Sequence, residues 1–126
     1  MTAPAALSDE RVKLLLQRYV DHINAGDLDK LVALFAEDAV VEDPIGAEPK
    51  RGRAAIRDFY RAAFDMGVRI EVDGPMRGSQ ANVAAMAFTV TTPGVTLRAI
   101  EMMTFGEDER IMRMVACFGP SDITRR

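Results

Sequence analysis

The 126-residue chain is 48% hydrophobic and 28% charged, the make-up of one globular domain over 1–126, since two half-length domains would each sit near the lower limit for an independent core. Its formal charge of −3, with both signs interspersed, argues against nucleic acid as a partner. One cysteine, Cys117, and one histidine, His22, exclude an intrachain disulfide and any metal site built from Cys or from several His.

Met1 to Glu10 lacks the basic region and apolar stretch of a signal peptide. Ser8 is placed to cap a helix in which Val12, Leu15, Leu16, Tyr19, Val20 and Ile23 form one apolar stripe, with Asp9 and Glu10 in its first turn. Gly26 stops that helix, and Asp27 can cap a second one carrying Leu28, Leu31, Val32, Leu34 and Phe35. A β-like run from Ala39 to Glu42 ends at Asp43-Pro44, and Gly46 to Gly52 reads as loop. Ile56, Phe59, Tyr60, Ala63 and Phe64 mark a third helix.

The period then changes. Arg69 to Asp73 is a short strand, followed by a turn at Gly74-Pro75. Asn82 to Thr91 puts Ala84, Met86, Phe88 and Val90 on one face. Pro93-Gly94 turns the chain into a strand from Val95 to Phe105, and a polar turn at 106–109 leads to a last strand from Arg110 to Phe118. The longest apolar run, Val83 to Phe88, is far too short to span a bilayer, so no membrane association and a cytoplasmic location are expected. Helices followed by a meander of long strands predict an α+β fold in which three N-terminal helices cover one face of a curved antiparallel sheet and close its concave side into an apolar pocket.

Glu101 is the most informative residue. One face of its strand reads Val95, Leu97, Ala99, Glu101, Met103, Phe105, so a carboxyl group interrupts an apolar row where desolvation disfavours its charge. A bulge that turns it outward or a buried ion pair with an arginine are the structural alternatives. Asp43 shares a side of its short strand with Val41, although Asp before Pro also serves simply to start a turn. Tyr19 lies on the first helical stripe, where a buried hydroxyl requires a partner that Tyr60 can supply; both are also ordinary core residues. A carboxylate base, a phenol and a protonated carboxyl group can together enolise a ketone in an apolar cavity, with no metal and no organic cofactor. His22, Arg51, Arg53 and Arg57 read as solvated surface, and Cys117 and the methionines as packing.

These residues stand in segments that resemble bacterial ketosteroid isomerase, within the wider nuclear transport factor 2-like superfamily. The matching stretches are Arg18-Tyr19-Val20, Ala36-Glu37-Asp38-Ala39, Val41-Glu42-Asp43-Pro44-Ile45-Gly46, Gly52-Arg53, Phe59-Tyr60-Arg61, Gly74-Pro75-Met76-Arg77 and Ala85-Met86-Ala87-Phe88. The resemblance implies a cone-shaped α+β domain and a cofactor-independent steroid delta-isomerase acting on a hydrophobic 3-oxo-delta-5-steroid. It implies that Asp43 is the general base, Tyr19 the phenol that donates to the carbonyl oxygen, and Tyr60 its supporting hydrogen-bond partner. Glu101 then falls where that family, an established case of a carboxylic acid kept neutral by an apolar site, has an aspartic acid. Phe59, Met86, Phe88, Met114, Ala116 and Phe118 match positions that line the substrate pocket.

Two positions depart from the family pattern. Glu101 is one methylene longer than the usual aspartic acid, and Phe35 stands where some members have a third tyrosine. The resemblance also implies a homodimer, formed through the sheet face that carries Val83, Ala85, Ala87, Ile100, Met102, Val115 and Cys117. A dehydratase or polyketide cyclase of the same superfamily, and a noncatalytic small-molecule-binding module, are the competing functions.

Overall fold

The computed structural model describes residues 6–126. Three helices, α1 (Asp9–Ala25), α2 (Leu28–Ala33) and α3 (Gly52–Asp65), accompany eight strands. The strands are β1 (Phe35–Glu42), β2 (Lys50–Arg51), β3 (Arg69–Val72), β4 (Arg77–Gly78), β5 (Val83–Thr92), β6 (Val95–Phe105), β7 (Ile111–Cys117) and β8 (Ile123–Arg125). They form one curved, open sheet in the order β2-β1-β7-β6-β5-β3, with β4 added beside β5 and β8 beside β6. The architecture is α+β, as expected. Among the described residues no helix is long and apolar enough to cross a membrane.

Local chemistry explains the helix limits. The Ser8 hydroxyl accepts from the Arg11 amide, and the Asp27 carboxylate accepts from the Lys30 amide, each satisfying a donor that a helix start leaves free. Gly26 closes α1 at φ 68°, a left-handed conformation that costs glycine nothing. The α2 stripe, by contrast, is shorter than the spacing of apolar residues suggests. Leu34 is already the C-cap and Phe35 opens β1, because Phe35 pairs with Ile111 in a strand more distant in sequence than any local signal can reach.

The sheet differs from the expected all-antiparallel meander in one place. Strand β1 runs parallel to β7, which the long connection through α3 and the meander permits. Within β6 the alternation is clean: Ala99, Glu101, Met103 and Phe105 are buried, while Arg98, Ile100 and Met102 face solvent. The short strands β2, β4 and β8 add edges that two- or three-residue segments do not announce.

Helix α1 packs over β3, β4 and β5, and α3 packs against β1, so the core lies between the helices and the inner sheet face. Two polar side chains fasten this cover. Asn24 donates to the Ile70 carbonyl at 2.9 Å and accepts from the Ile70 amide at 2.8 Å, joining the end of α1 to β3. Arg53, expected on the surface, is half-buried, and its guanidinium donates twice to the Phe35 carbonyl, at 2.9 and 2.7 Å. That pair of bonds satisfies the backbone at the point where α2 gives way to β1.

Candidate active site

Each polar member of the site is delivered by a different element. Tyr19 sits in the middle of the buried α1 stripe and Tyr60 beside Ile56 on the buried face of α3. Their rings meet edge to face, with centroids 6.1 Å apart, and their hydroxyl oxygens are 2.8 Å apart. Phe35 closes this aromatic cluster, 6.5 Å from Tyr19 and 5.8 Å from Tyr60 between ring centroids. It contributes packing without a hydroxyl, so the phenol chain ends at two members.

Glu101 projects from the centre of β6, opposite Met86 of β5 and Ala116 of β7. It is 1% exposed and is the one charged-type side chain in the buried core of the described residues. Neither alternative to a pocket-facing side chain holds: β6 and β5 pair without a bulge through this position, and no arginine reaches the carboxyl group. Tyr19 donates to Glu101 Oε1 over a long 3.4 Å, while Oε2 is buried without a partner. Asp43 follows the last residue of β1, and the next segment is tied down by the Ile45 amide donating to the Ala116 carbonyl at 2.8 Å. Its carboxyl group thereby faces the same space as Tyr19, Tyr60 and Glu101.

That space is a cavity of about 230 Å³, whose polar lining is limited to Tyr19, Asp43, Tyr60, Thr92 and Glu101. Phe59, Phe88 and Phe118 reach its wall, as does Ala99, the neighbour of Glu101 on the inner face of β6. Met86, Met114 and Ala116 do not; all three are buried in the core and take no part in the lining. The wall also includes Ile23, Leu97 and Val90, whose faces were readable from periodicity, and Met66 and Val68, which sit in a turn and its exit and carried no such signal. Among the described residues no three His, Cys, Asp or Glu side chains are grouped to hold a metal ion.

Burial dominates the electrostatics. Desolvation pushes the Asp43 carboxyl up from 3.8 to about 6. Glu101 is driven well above the ordinary glutamate value, first by desolvation and then by the negative charge of Asp43, against a smaller opposing effect of the Tyr19 hydrogen bond. Desolvation, reinforced by Glu101, also raises both phenols, which stay protonated. Burial thus disfavours charge on all four groups, with Asp43 releasing its proton at about 6 and Glu101 holding its own well above the ordinary glutamate value. The cavity can remove a proton at one point and donate hydrogen bonds at another without help from bulk water.

Comparison with known proteins places the chain in a family. The SnoaL-like domain model matches residues 16–114. A steroid delta-isomerase of Nocardioides simplex is 37% identical over 116 residues, covering 89% of this chain and 93% of that protein. The epoxide hydrolase LasB of Streptomyces lasalocidi is 32% identical over 112 residues, 82% of this chain, which spans only 40% of LasB. Among solved structures, SalBIII, an epoxide hydrolase/cyclase-like enzyme in pyran ring formation of the polyether salinomycin, superposes with a TM-score of 0.90 at 26% identity, covering 94% of this chain and 98% of its own. The chain belongs to the SnoaL-like domain family, with the fold of the nuclear transport factor 2-like superfamily and with enzymes as its relatives.

Proposed function

We propose that the protein is a steroid delta-isomerase that converts 3-oxo-delta-5-steroids into conjugated 3-oxo-delta-4-steroids. The observation that carries this reading is the convergence of two carboxyl groups, Asp43 and Glu101, with the Tyr19 hydroxyl in one largely apolar cavity. Asp43 takes a proton from carbon 4, beside the carbonyl, and the freed electron pair moves into the ring system to give a dienolate. Tyr19 and the neutral Glu101 donate to the oxygen as it gains charge. Protonated Asp43 then returns its proton to carbon 6, the carbonyl reforms, and the double bond has moved into conjugation. No cofactor is consumed, and the proton balance closes within the site.

Tyr60 acts behind Tyr19: by donating to the Tyr19 oxygen it makes the Tyr19 proton more acidic as that proton turns from Glu101 to the substrate oxygen. Phe59, Phe88 and Phe118 offer apolar walls to fused rings. The 37% identical steroid delta-isomerase supports this reading over almost the whole chain.

A second reading, opening of an epoxide, is favoured by two carboxyl groups in one cavity, of which Glu101 holds its proton well above the ordinary value, and by the likeness to LasB and SalBIII. Glu101 would protonate the epoxide oxygen while Asp43 accepted the proton of the attacking hydroxyl group. Incubation with a 3-oxo-delta-5-steroid, followed by ultraviolet absorbance of the conjugated enone, separates the two. The isomerase reading expects a rise that depends on enzyme concentration. No rise at micromolar enzyme rejects it.

A further inference from the structure

The catalytic cavity has a neighbour on the outside of α3, a groove of about 570 Å³. The two share Phe59, Ala63 and Met66, which border both spaces. The groove continues over Ala55 and Ala62, with Lys50 and Asp58 as its polar members. Residues 55, 58, 59, 62, 63 and 66 stand at i, i+3, i+4, i+7, i+8 and i+11, which lays them in a stripe along α3 and its C-cap. Tyr60, at the catalytic end, is buried, whereas Met66 is 59% exposed, so the cavity opens to solvent as α3 ends, roughly 9 Å along the axis from Tyr60.

We infer that this groove is an extension of the substrate site and binds an aliphatic substituent carried on the end of the substrate remote from its reacting carbonyl. The inference rests on the isomerase reading for the identity of the head group. The tail assignment comes from the groove itself. Five of its seven lining residues are apolar, three of them also line the cavity, and its two polar side chains are of opposite sign. A net charged terminus would gain from one and be opposed by the other. An uncharged hydrocarbon chain, leaving the cavity past Met66 and lying along the alanines, removes exposed apolar surface from water on both partners. Nothing in the catalytic chemistry requires this groove, so it selects among substrates rather than accelerating the reaction.

The test compares two 3-oxo-delta-5-steroids, one with an eight-carbon alkyl substituent at the ring end remote from the carbonyl and one without it, in the wild type and in Ala62→Glu. Ala62 lies on the exposed face of α3, lines the groove and does not line the catalytic cavity, and glutamate suits a helix. The expected result is a KM at least tenfold lower for the alkylated substrate in the wild type. Ala62→Glu should remove that preference and leave kcat/KM for the short substrate within twofold. Equal KM values for the two substrates in the wild type, or an equal effect of Ala62→Glu on both, would overturn the groove. If neither substrate is isomerised, the corresponding conjugated ketones are used as ligands in equilibrium dialysis. Tighter binding of the alkylated ligand, lost in Ala62→Glu, then upholds the groove while rejecting the isomerase. Equal binding of the two, or binding of neither, overturns the groove as well.

Discussion

Tyr19 and Glu101 touch at 3.4 Å, a phenol from a helix meeting a carboxyl group from the middle of the sheet, and only one of the two Glu101 oxygens is engaged. A neutral carboxylic acid fits this arrangement. In the proposed mechanism its carbonyl oxygen would accept from Tyr19, and Oε2, buried without a partner, would carry the proton offered to a ligand. The extra methylene of glutamate, compared with the aspartic acid of the resembling family, is accommodated without bringing an arginine into range.

Asp43→Asn tests the base. The amide keeps the shape and loses the basicity, so kcat should fall by about 100-fold or more with little change in affinity for a conjugated ketone. A variant that keeps a tenth of wild-type kcat shows that another group moves the proton. In the wild type, kcat/KM should rise with pH through about 6, because burial holds the Asp43 proton to that value and only the ionised form is a base. A flat profile between pH 5 and 8, a range set by the usual reach of such measurements, would contradict the assignment.

The hydroxyl donors should rank by distance from the substrate oxygen. Tyr19→Phe and Glu101→Ala each remove a direct donor, and each should lower kcat by about 100-fold. Glu101→Gln keeps a neutral donor and should lose only about tenfold in affinity for a phenolate that mimics the dienolate. Tyr60→Phe removes a supporting bond and should cost less than Tyr19→Phe. Much tighter phenolate binding by Glu101→Gln than by the wild type would mean that Glu101 is ionised, and it would end the donor assignment.

Glu101 also carries a stability signature. Its folded-state pKa lies above the ordinary 4.5, so below that value both folded and unfolded chains hold the proton and the native state keeps its full stability. As pH rises, the unfolded chain ionises first, and stability falls by about 1.4 kcal/mol per pH unit until the folded carboxyl also titrates. Glu101→Gln has no such slope. Its stability relative to wild type should therefore be greater at pH 7 than at pH 4, as read from urea unfolding midpoints at the two pH values. An unchanged difference would place the Glu101 pKa near its ordinary value.

Much of this arrangement was readable from spacing. The full alternation of 95–105 located β6 to the residue and put Glu101 on its inner face, and the α1 stripe did the same for Tyr19. Asp43 was different: it shared a strand side with Val41, but Asp-Pro looks the same as a plain turn, and the role of base came only from the family resemblance. The missed features are those that depend on distant partners. Phe35 joined a strand instead of α2 because its partner is Ile111, and Arg53 left the surface because the Phe35 carbonyl needed a donor. Met86, Met114 and Ala116 have inward-facing positions, but periodicity distinguishes inside from outside and cannot separate the packed core from the wall of a cavity.

The outer sheet face leads to a fourth expectation. Ile100 and Met102 are 57% and 47% exposed there, next to Ala85, Val115 and Cys117. Burial of this face in a homodimer would remove apolar area from water. Light scattering at tens of micromolar should give the mass of two chains, and Met102→Glu should shift it toward one. A single-chain mass for the wild type would count against pairing.

The grip of Asn24 on Ile70 has a consequence for how copies of this chain can meet. Strand β3 ends the sheet path, and a terminal strand with free amides and carbonyls invites a foreign strand to dock and extend the sheet. The Asn24 side chain occupies both backbone groups of Ile70, imitating the strand that would otherwise arrive. At the opposite end β2 offers only Lys50 and Arg51. The middle of β3 is thus a poor template for strand addition, and a small amide at the end of α1 stands between this border and open-ended growth of the sheet.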